Sequence, residues 1–250
     1  MIAEDDPAGD ERPVVLDRAA GVAGELVLRR RGDVHELLID GAFAMSDHLD
    51  GASERQQVDL TLAAAGSGHH LLLGGLGLGL ALRQAVATPT AARITVVELE
   101  PTIVAWHRTH LRRLTEEAFT DPRVELRIGD VADVLGETDA SFDAIALDVD
   151  NGPDWLIRPG NARLYQPAFL DLVTTRLTTD GAFSVWGAAH EPSLTAALQA
   201  RFRRVSEHLI EVPRGEPDHL WIAAGPAPRP PSGGRSGAAQ ASPPSSASSS

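Results

Sequence analysis

The chain contains no cysteine, which excludes a disulfide framework, a thiolate nucleophile and any zinc site built on sulfur. Basic residues are outnumbered, 22 Lys and Arg against 35 Asp and Glu, for a formal net charge of -13. Nucleic-acid affinity needs a surplus of cations on some surface, so no nucleic-acid partner is expected. The one compact basic run, Arg29-Arg30-Arg31, reads as a solvated strand or turn. Long apolar runs are missing too: the most apolar segment, Leu71 to Leu82, is interrupted by four glycines and is about half as long as a bilayer span requires. The first residues, Met1-Ile2-Ala3-Glu4-Asp5-Asp6, are acidic where a secretory signal would be basic and then apolar. A cytoplasmic protein with no membrane partner is the expectation.

What remains is ordinary core material. Hydrophobic residues make up 43% of 250 residues, mostly aliphatic, with one Tyr and four Trp. That suits one α/β domain with loose ends. Nine histidines are present, none in a His-Glu-x-x-His or similar compact pattern. His69-His70 and the pair His107 and His110 therefore read as structural, and no metal is expected.

Residues 1–24 are rich in Asp, Glu, Pro, Ala and Gly and read as mostly flexible, with a possible strand at Val14–Leu16. Residues 25–66 read as a β-hairpin, Glu25–Arg31 and Val34–Asp40 around Arg31-Gly32-Asp33, followed by a lead-in helix over Ser53–Ala65. Residues 226–250 are almost entirely Pro, Ser, Gly and Ala and are expected to be disordered, because such a composition cannot bury enough apolar surface to offset ordering entropy. Between them, over 67–225, short apolar runs at His70–Leu73, Ile94–Glu98, Val124–Ile128 and Ala144–Leu147 alternate with helix-compatible stretches. This is the sequence form of a parallel sheet buried on both faces. Helices at Tyr165–Leu177 and Pro192–Phe202, a strand at Gly181–Trp186 and a terminal hairpin from Arg204–Val212 and His219–Ala224 complete the pattern. The fold class is α/β, a doubly wound, mostly parallel seven-stranded sheet of the Rossmann-like class I methyltransferase type with a small N-terminal β-hairpin.

Three signals fall at the carboxyl ends of consecutive strands, the edge where such sheets bind ligands. The first is the turn Gly74-Gly75-Leu76-Gly77-Leu78-Gly79, where glycines admit positive φ and let backbone amides approach a ligand. The G-x-G-x-G spacing of Gly75, Gly77 and Gly79 departs from the usual dinucleotide fingerprint. The second is Glu98, about twenty residues on, a carboxylate placed to accept both hydrogens of a ribose diol; Glu100 is the alternative. The third is Gly129-Asp130, where Asp130 can accept from an adenine amino group and can also cap the next helix.

On these residues the run from about Glu25 to Ala224 resembles the spermidine synthase (polyamine aminopropyltransferase) family. The likeness lies in the Gly-Gly pair of the loop, Val-Val-Glu98-Leu-Glu100, Gly129-Asp130, and Phe142-Asp143 leading to Asp148. The resemblance implies a transferase that binds S-adenosylmethionine or its decarboxylated form at Gly74, Gly75, Gly77, Gly79, Glu98 and Asp130. It implies Asp148 as the amine-activating carboxylate, and Asp150, Asn151 and Tyr165 are assigned to the acceptor side. It also allows a homodimer.

The chain departs from the family at three places. The loop of family members is Gly-Gly-Gly-Asp-Gly-Gly, and here Gly77 replaces the acid that holds the donor's amine. Tyr-His-Glu before the first strand is absent, with Ser53-Glu54-Arg55 nearby, and Asp-Ser-Ser-Asp-Pro becomes Asp148-Val149-Asp150-Asn151-Gly152-Pro153. Ordinary S-adenosylmethionine carries a carboxylate that loop amides can bind, so the missing acid favours methyl transfer to an amine or other small nucleophile. Aminopropyl transfer from decarboxylated S-adenosylmethionine to putrescine is the alternative, and a non-catalytic nucleotide-binding relative the third reading. Returning an acid at Gly77 is expected to favour the decarboxylated donor.

Overall fold

The computed structural model describes residues 12–48, 51–66, 69–212 and 216–228. A four-stranded antiparallel sheet comes first, in the order β1 (Val14–Gly21), β2 (Gly24–Arg31), β3 (Val34–Ile39) and β4 (Ala42–Ser46). The expected hairpin is the β2–β3 pair, extended by a strand on each side, and β1 puts residues 14–21 in a strand where residues 1–24 are expected to be mostly flexible. β1 shows no strict apolar alternation, and Val14 and Val15 stay 58% and 44% exposed. Its order comes from pairing with β2 over Val14 to Gly21, a partner that the hydrophobic pattern of β1 does not reveal. Residues 1–11, the first part of the segment expected to be flexible, lie outside the described residues, as does the tail from 229.

The second sheet has seven strands in the order β10-β11-β9-β8-β5-β6-β7. These are β5 (His69–Gly74), β6 (Ala91–Glu98), β7 (Val124–Ile128), β8 (Phe142–Leu147), β9 (Leu177–Gly187), β10 (Phe202–Ile210) and β11 (Asp218–Pro226). β7, β6, β5, β8 and β9 run parallel, and β11 and β10 close the sheet antiparallel. The helices are α1 (Ala52–Ala64), α2 (Leu80–Ala87), α3 (Pro101–Arg108), α4 (Arg112–Thr120), α5 (Val131–Glu137), α6 (Pro167–Arg176) and α7 (Pro192–Gln199). A 3-10 helix at Pro159–Tyr165 precedes α6.

Side chains of successive strand residues point to opposite faces, and the core follows that rule. Leu71, Leu73, Ile94, Val96, Ala144 and Ala146 face one apolar layer, and Leu72, Val97, Ile145 and Leu147 face the other. Two buried faces need unbroken apolar runs, hence Leu71-Leu72-Leu73 in β5 and Ala144-Ile145-Ala146-Leu147 in β8. The first layer also takes Leu26, Leu28 and Leu37 of the N-terminal sheet, which ties that sheet to the larger one. A fully buried Leu such as Leu71 or Leu72 contributes about 1.5–3 kcal/mol.

α1 crosses this sheet through polar contacts. Gln57 Nε2 donates to the Leu147 carbonyl at 3.1 Å, and Thr61 Oγ1 donates to Ser184 Oγ at 2.7 Å. Both residues are buried, so these bonds fix the register of α1 against the strand that ends at Asp148. Among the described residues no helix is long and apolar enough to cross a membrane.

Candidate functional site

Strand register decides which residues meet. Gly74 on β5 is level with Val97 on β6 and Leu147 on β8. One residue further, the three chains reach Gly75, Glu98 and Asp148 together, and Glu98 is level with Ile128, two residues before Asp130. These residues border a cleft at the carboxyl edge of the sheet, where the connections from β5 to β6 and from β8 to β9 leave in opposite directions. It encloses about 1080 Å³ of free space, its open mouth included. The wall facing the sheet comes from the N-terminal strands, through Leu37, Ile39, Ala44 and Met45.

The glycine loop is shaped by close approach. Gly75 has φ +104, and a Cβ there would overlap the Asp148 carbonyl. Its own N–H donates to the Val97 carbonyl at 2.9 Å, and Asp148 N–H donates to the Gly74 carbonyl at 2.9 Å. Gly75 and Gly77 border the cleft. Gly74 and Gly79 are packing glycines, Gly74 against Leu147 and Val131 and Gly79 against Thr115 and His107.

Glu98 is buried, and its carboxylate accepts from the backbone N–H of Leu76 at 2.8 Å, Gly77 at 3.4 Å and Glu100 at 2.8 Å. It clamps the glycine loop to the end of β6. Burial raises its pKa, and those amide bonds oppose the shift. A carboxylate has about four acceptor positions, so the three amides leave one open to a ligand hydroxyl. Glu100, the alternative, is committed elsewhere: its oxygens accept from Val22 N–H at 2.9 Å and Ala23 N–H at 2.8 Å. That contact docks the β1–β2 turn on the cleft.

The geometry gives a direct expectation for this clamp. Glu98→Ala removes the acceptor for three backbone donors of the loop and strand end, and should weaken methylthioadenosine binding about tenfold or more. Calorimetry measures it, and unchanged affinity would remove Glu98 from the site.

Asp130 borders the cleft and caps α5, accepting from Ala132 N–H at 3.0 Å. Its second oxygen pairs with Arg158 at 3.2 Å and with Arg163. Burial opposes ionisation, but the amide and the two arginines prevail and hold Asp130 below the usual carboxylate range.

Asp148 lies at the cleft floor, partly exposed. Burial of its carboxylate, then the negative charges of Glu54 and Asp218, push its pKa up to about 7. Glu54, on α1, borders the same cleft; burial first and Asp218 second raise its pKa. Asp218 accepts from Ser53 Oγ. The nearest charges to Asp148 are thus like charges, an arrangement that a cationic group would relieve.

The expected acceptor residues divide. Asp150 is a loop staple: Oδ1 accepts from Asn151 N–H at 3.0 Å and Ile157 N–H at 2.6 Å, and Oδ2 from Arg158 N–H at 3.2 Å and Asn161 Nδ2 at 2.9 Å. Asn151 borders the cleft, and its carbonyl accepts from Ala188 N–H at 2.9 Å. Tyr165 is buried and hydrogen-bonded to the Gly152 backbone, so it braces the loop from behind the cleft wall. Burial, and the nearby Asp150, push its phenol pKa upward.

Sequence reasoning missed several residues. Glu54 and Asp218 are brought to Asp148 from opposite ends of the chain, and no local motif marks them. His107, read as structural, donates or accepts at the loop itself: Nε2 is 2.9 Å from the Gly77 carbonyl and Nδ1 is 2.9 Å from Thr115 Oγ1. Burial pushes its pKa down to about 4, so it is neutral, and Nε2–H is the donor that holds Gly77. Met45 explains the absent loop acid. A Cβ on Gly77 would overlap Met45 Sδ, which also accepts from Leu78 N–H at 3.1 Å.

A doubly wound sheet with a glycine loop, an acid ending the next strand and a further acid at the fourth strand end defines a transferase of the S-adenosylmethionine type. Comparison with known proteins narrows the class. Residues 58–209 match the model of the spermine/spermidine synthase domain, and the chain belongs to that family. It is 27% identical over 236 residues to a polyamine aminopropyltransferase of Synechococcus sp. (strain JA-2-3B'a(2-13)), covering 83% of this chain and 73% of the relative. It is 31% identical over 175 residues to the polyamine aminopropyltransferase of Mycobacterium tuberculosis (strain ATCC 25618 / H37Rv), covering 69% of this chain but 32% of that longer relative. A spermidine synthase solved with the transition-state analogue AdoDATO superposes with a TM-score of 0.72 at 17% identity, over 84% of this chain and 73% of the other. The preference for methyl transfer, drawn from the missing loop acid, is not supported by these relatives. The loop acid is absent and Met45 lies over Gly77, but other carboxylates, Glu54 and Asp148, border the cleft.

Proposed function

We propose that the chain transfers an aminopropyl group from decarboxylated S-adenosylmethionine to a small amine of the putrescine type. The observation that carries this is the pair Glu54 and Asp148, two carboxylates at the cleft with raised pKa and like-charged neighbours. A donor with an ammonium and no carboxylate, and an acceptor that is itself a cation, both lower the energy of such a site. Family membership and the names of the relatives support the same reading.

In this reading the adenosine lies across Gly75, Gly77, Glu98 and Asp130. The acceptor nitrogen attacks the carbon beside the sulfonium, the C–S bond breaks, and its electron pair stays on sulfur as methylthioadenosine. An amine is protonated near neutral pH and must lose a proton before it can attack. Asp148, with a pKa near 7, is matched to take that proton. The thioether is already a good leaving group, so catalysis rests on alignment and on this base.

Donor choice tests the proposal. With putrescine as acceptor, the full chain should release methylthioadenosine from decarboxylated S-adenosylmethionine at least about tenfold faster, in kcat/KM, than it releases S-adenosylhomocysteine from S-adenosylmethionine. Chromatography of the nucleoside products reads both. Preferential formation of S-adenosylhomocysteine would return the chain to methyl transfer, and no turnover with either donor would favour a non-catalytic relative.

A further inference from the structure

At the β10–β11 hairpin, three side chains outside the lining of the cleft converge from separate stretches. His190 lies in the loop after β9, Glu207 on β10 and His219 on β11. Glu207 pairs with Trp221 in the ladder, so Glu207, His219 and Trp221 share one face. Glu207 Oε1 is 2.8 Å from His190 Nδ1, and His219 Nδ1 approaches the same oxygen. One ligand atom from each residue falls within 4.8 Å of the other two. The His219 ring stacks on Trp221 with centroids 5.8 Å apart. Trp221 is fully buried, and its Nε1–H donates to Thr195 Oγ1 at 2.8 Å. His219 and Glu207 are therefore held in place by the hairpin, and His190 is the exposed member that can close over an ion.

We propose that His190, Glu207 and His219 form a binding site for a divalent transition-metal ion of the zinc type, separate from the transfer cleft. Two imidazole nitrogens and one carboxylate oxygen suit Zn²⁺, Co²⁺, Ni²⁺ or Cu²⁺ and disfavour Mg²⁺ and Ca²⁺, which require oxygen ligands. Ligand bonds of about 2.0–2.2 Å put neighbouring donors of a tetrahedral ion about 3.3 Å apart, so the cluster needs only a small expansion. The chain has no cysteine to compete for the ion. Burial alone would raise the Glu207 pKa, but the hydrogen bonds from His190 and His219 prevail and hold it below its ordinary value. The carboxylate is thus ionised and ready to ligate. On binding, the ion replaces the proton on each Nδ1; a neutral imidazole then carries its proton on Nε2, and an imidazolium releases one.

The site would clamp the loop after β9 to the hairpin. That loop is joined to the cleft wall through Ala188 N–H and the Asn151 carbonyl. An ion bound by the folded chain alone raises its melting temperature.

The test uses the full, untagged chain stripped with EDTA, titrated with Zn²⁺ by calorimetry and with Co²⁺ by visible absorption. One equivalent should bind in the micromolar range, with a tetrahedral cobalt band and a raised melting temperature. His190→Ala, at an exposed loop position, should weaken Zn²⁺ binding at least about tenfold and abolish both the band and the thermal shift, and Glu207→Gln should do the same. Absence of saturable binding, or parental affinity in both variants, overturns the proposal, the latter by assigning the ion to other histidines.

Discussion

Asp148→Asn is expected to lower turnover by about 10²-fold or more, the usual scale for a positioned base, while methylthioadenosine affinity stays within about threefold. The amide keeps the shape of the side chain but cannot take a proton from the acceptor amine. pH gives a second readout. In the parent chain kcat/KM should rise with pH through an acid limb near 7, the value to which burial, Glu54 and Asp218 push Asp148; the variant should lack that limb. The sign of the stability effect follows from the same shift. The folded pKa lies above the unfolded one, so the contribution of Asp148 is fully present below about pH 4 and lost as pH rises through about 7. Asp148→Asn should therefore melt several degrees above the parent at alkaline pH and converge with it in acid, as thermal denaturation across pH will show. Joint loss of nucleoside binding and turnover would make Asp148 a donor-side or structural residue.

Gly77→Asp should weaken methylthioadenosine binding by about tenfold or more rather than confer preference for the decarboxylated donor. The family acid cannot simply be returned here. Gly77 has φ +50, a left-handed conformation that costs a non-glycine residue about 1–2 kcal/mol. A side chain would also drive into Met45 Sδ and Cε. Moving Met45 breaks its contact with Leu78 N–H and disturbs the loop that Glu98 and His107 hold. Adding Met45→Ala to Gly77→Asp makes room, and the double variant should recover most of the lost affinity. A single Gly77→Asp chain that binds as well as the parent would mean that Met45 does not close this position.

The parts of the site that were legible in the sequence share one property. Gly75, Glu98, Asp130 and Asp148 each stand at or within two residues of a strand end. Parallel strands in register bring their ends to one edge, so position along the chain translates directly into position in space. The surroundings of the residues expected on the acceptor side depend on packing between elements. Asp150 follows Asp148 closely and was assigned to the acceptor, yet its oxygens face the amides of Ile157 and Arg158. Tyr165 was placed on the acceptor side, whereas the 3-10 helix that carries it turns it behind the wall. β1 was underestimated because its pattern is weak and its order comes from β2.

The sequence by itself determined the parallel core, the glycine loop and the three acids at strand ends, because strand periodicity and chain order suffice to place them. Only the tertiary structure decided the chemical character of the cleft. It set α1 across the sheet so that Glu54 meets Asp148, brought Asp218 from the last strand to the same point, and laid Met45 over Gly77. Those contacts arise from the docking of whole elements, whose relative positions depend on the shape of the two apolar layers and on buried bonds such as Gln57 to Leu147. No spacing in the chain encodes them.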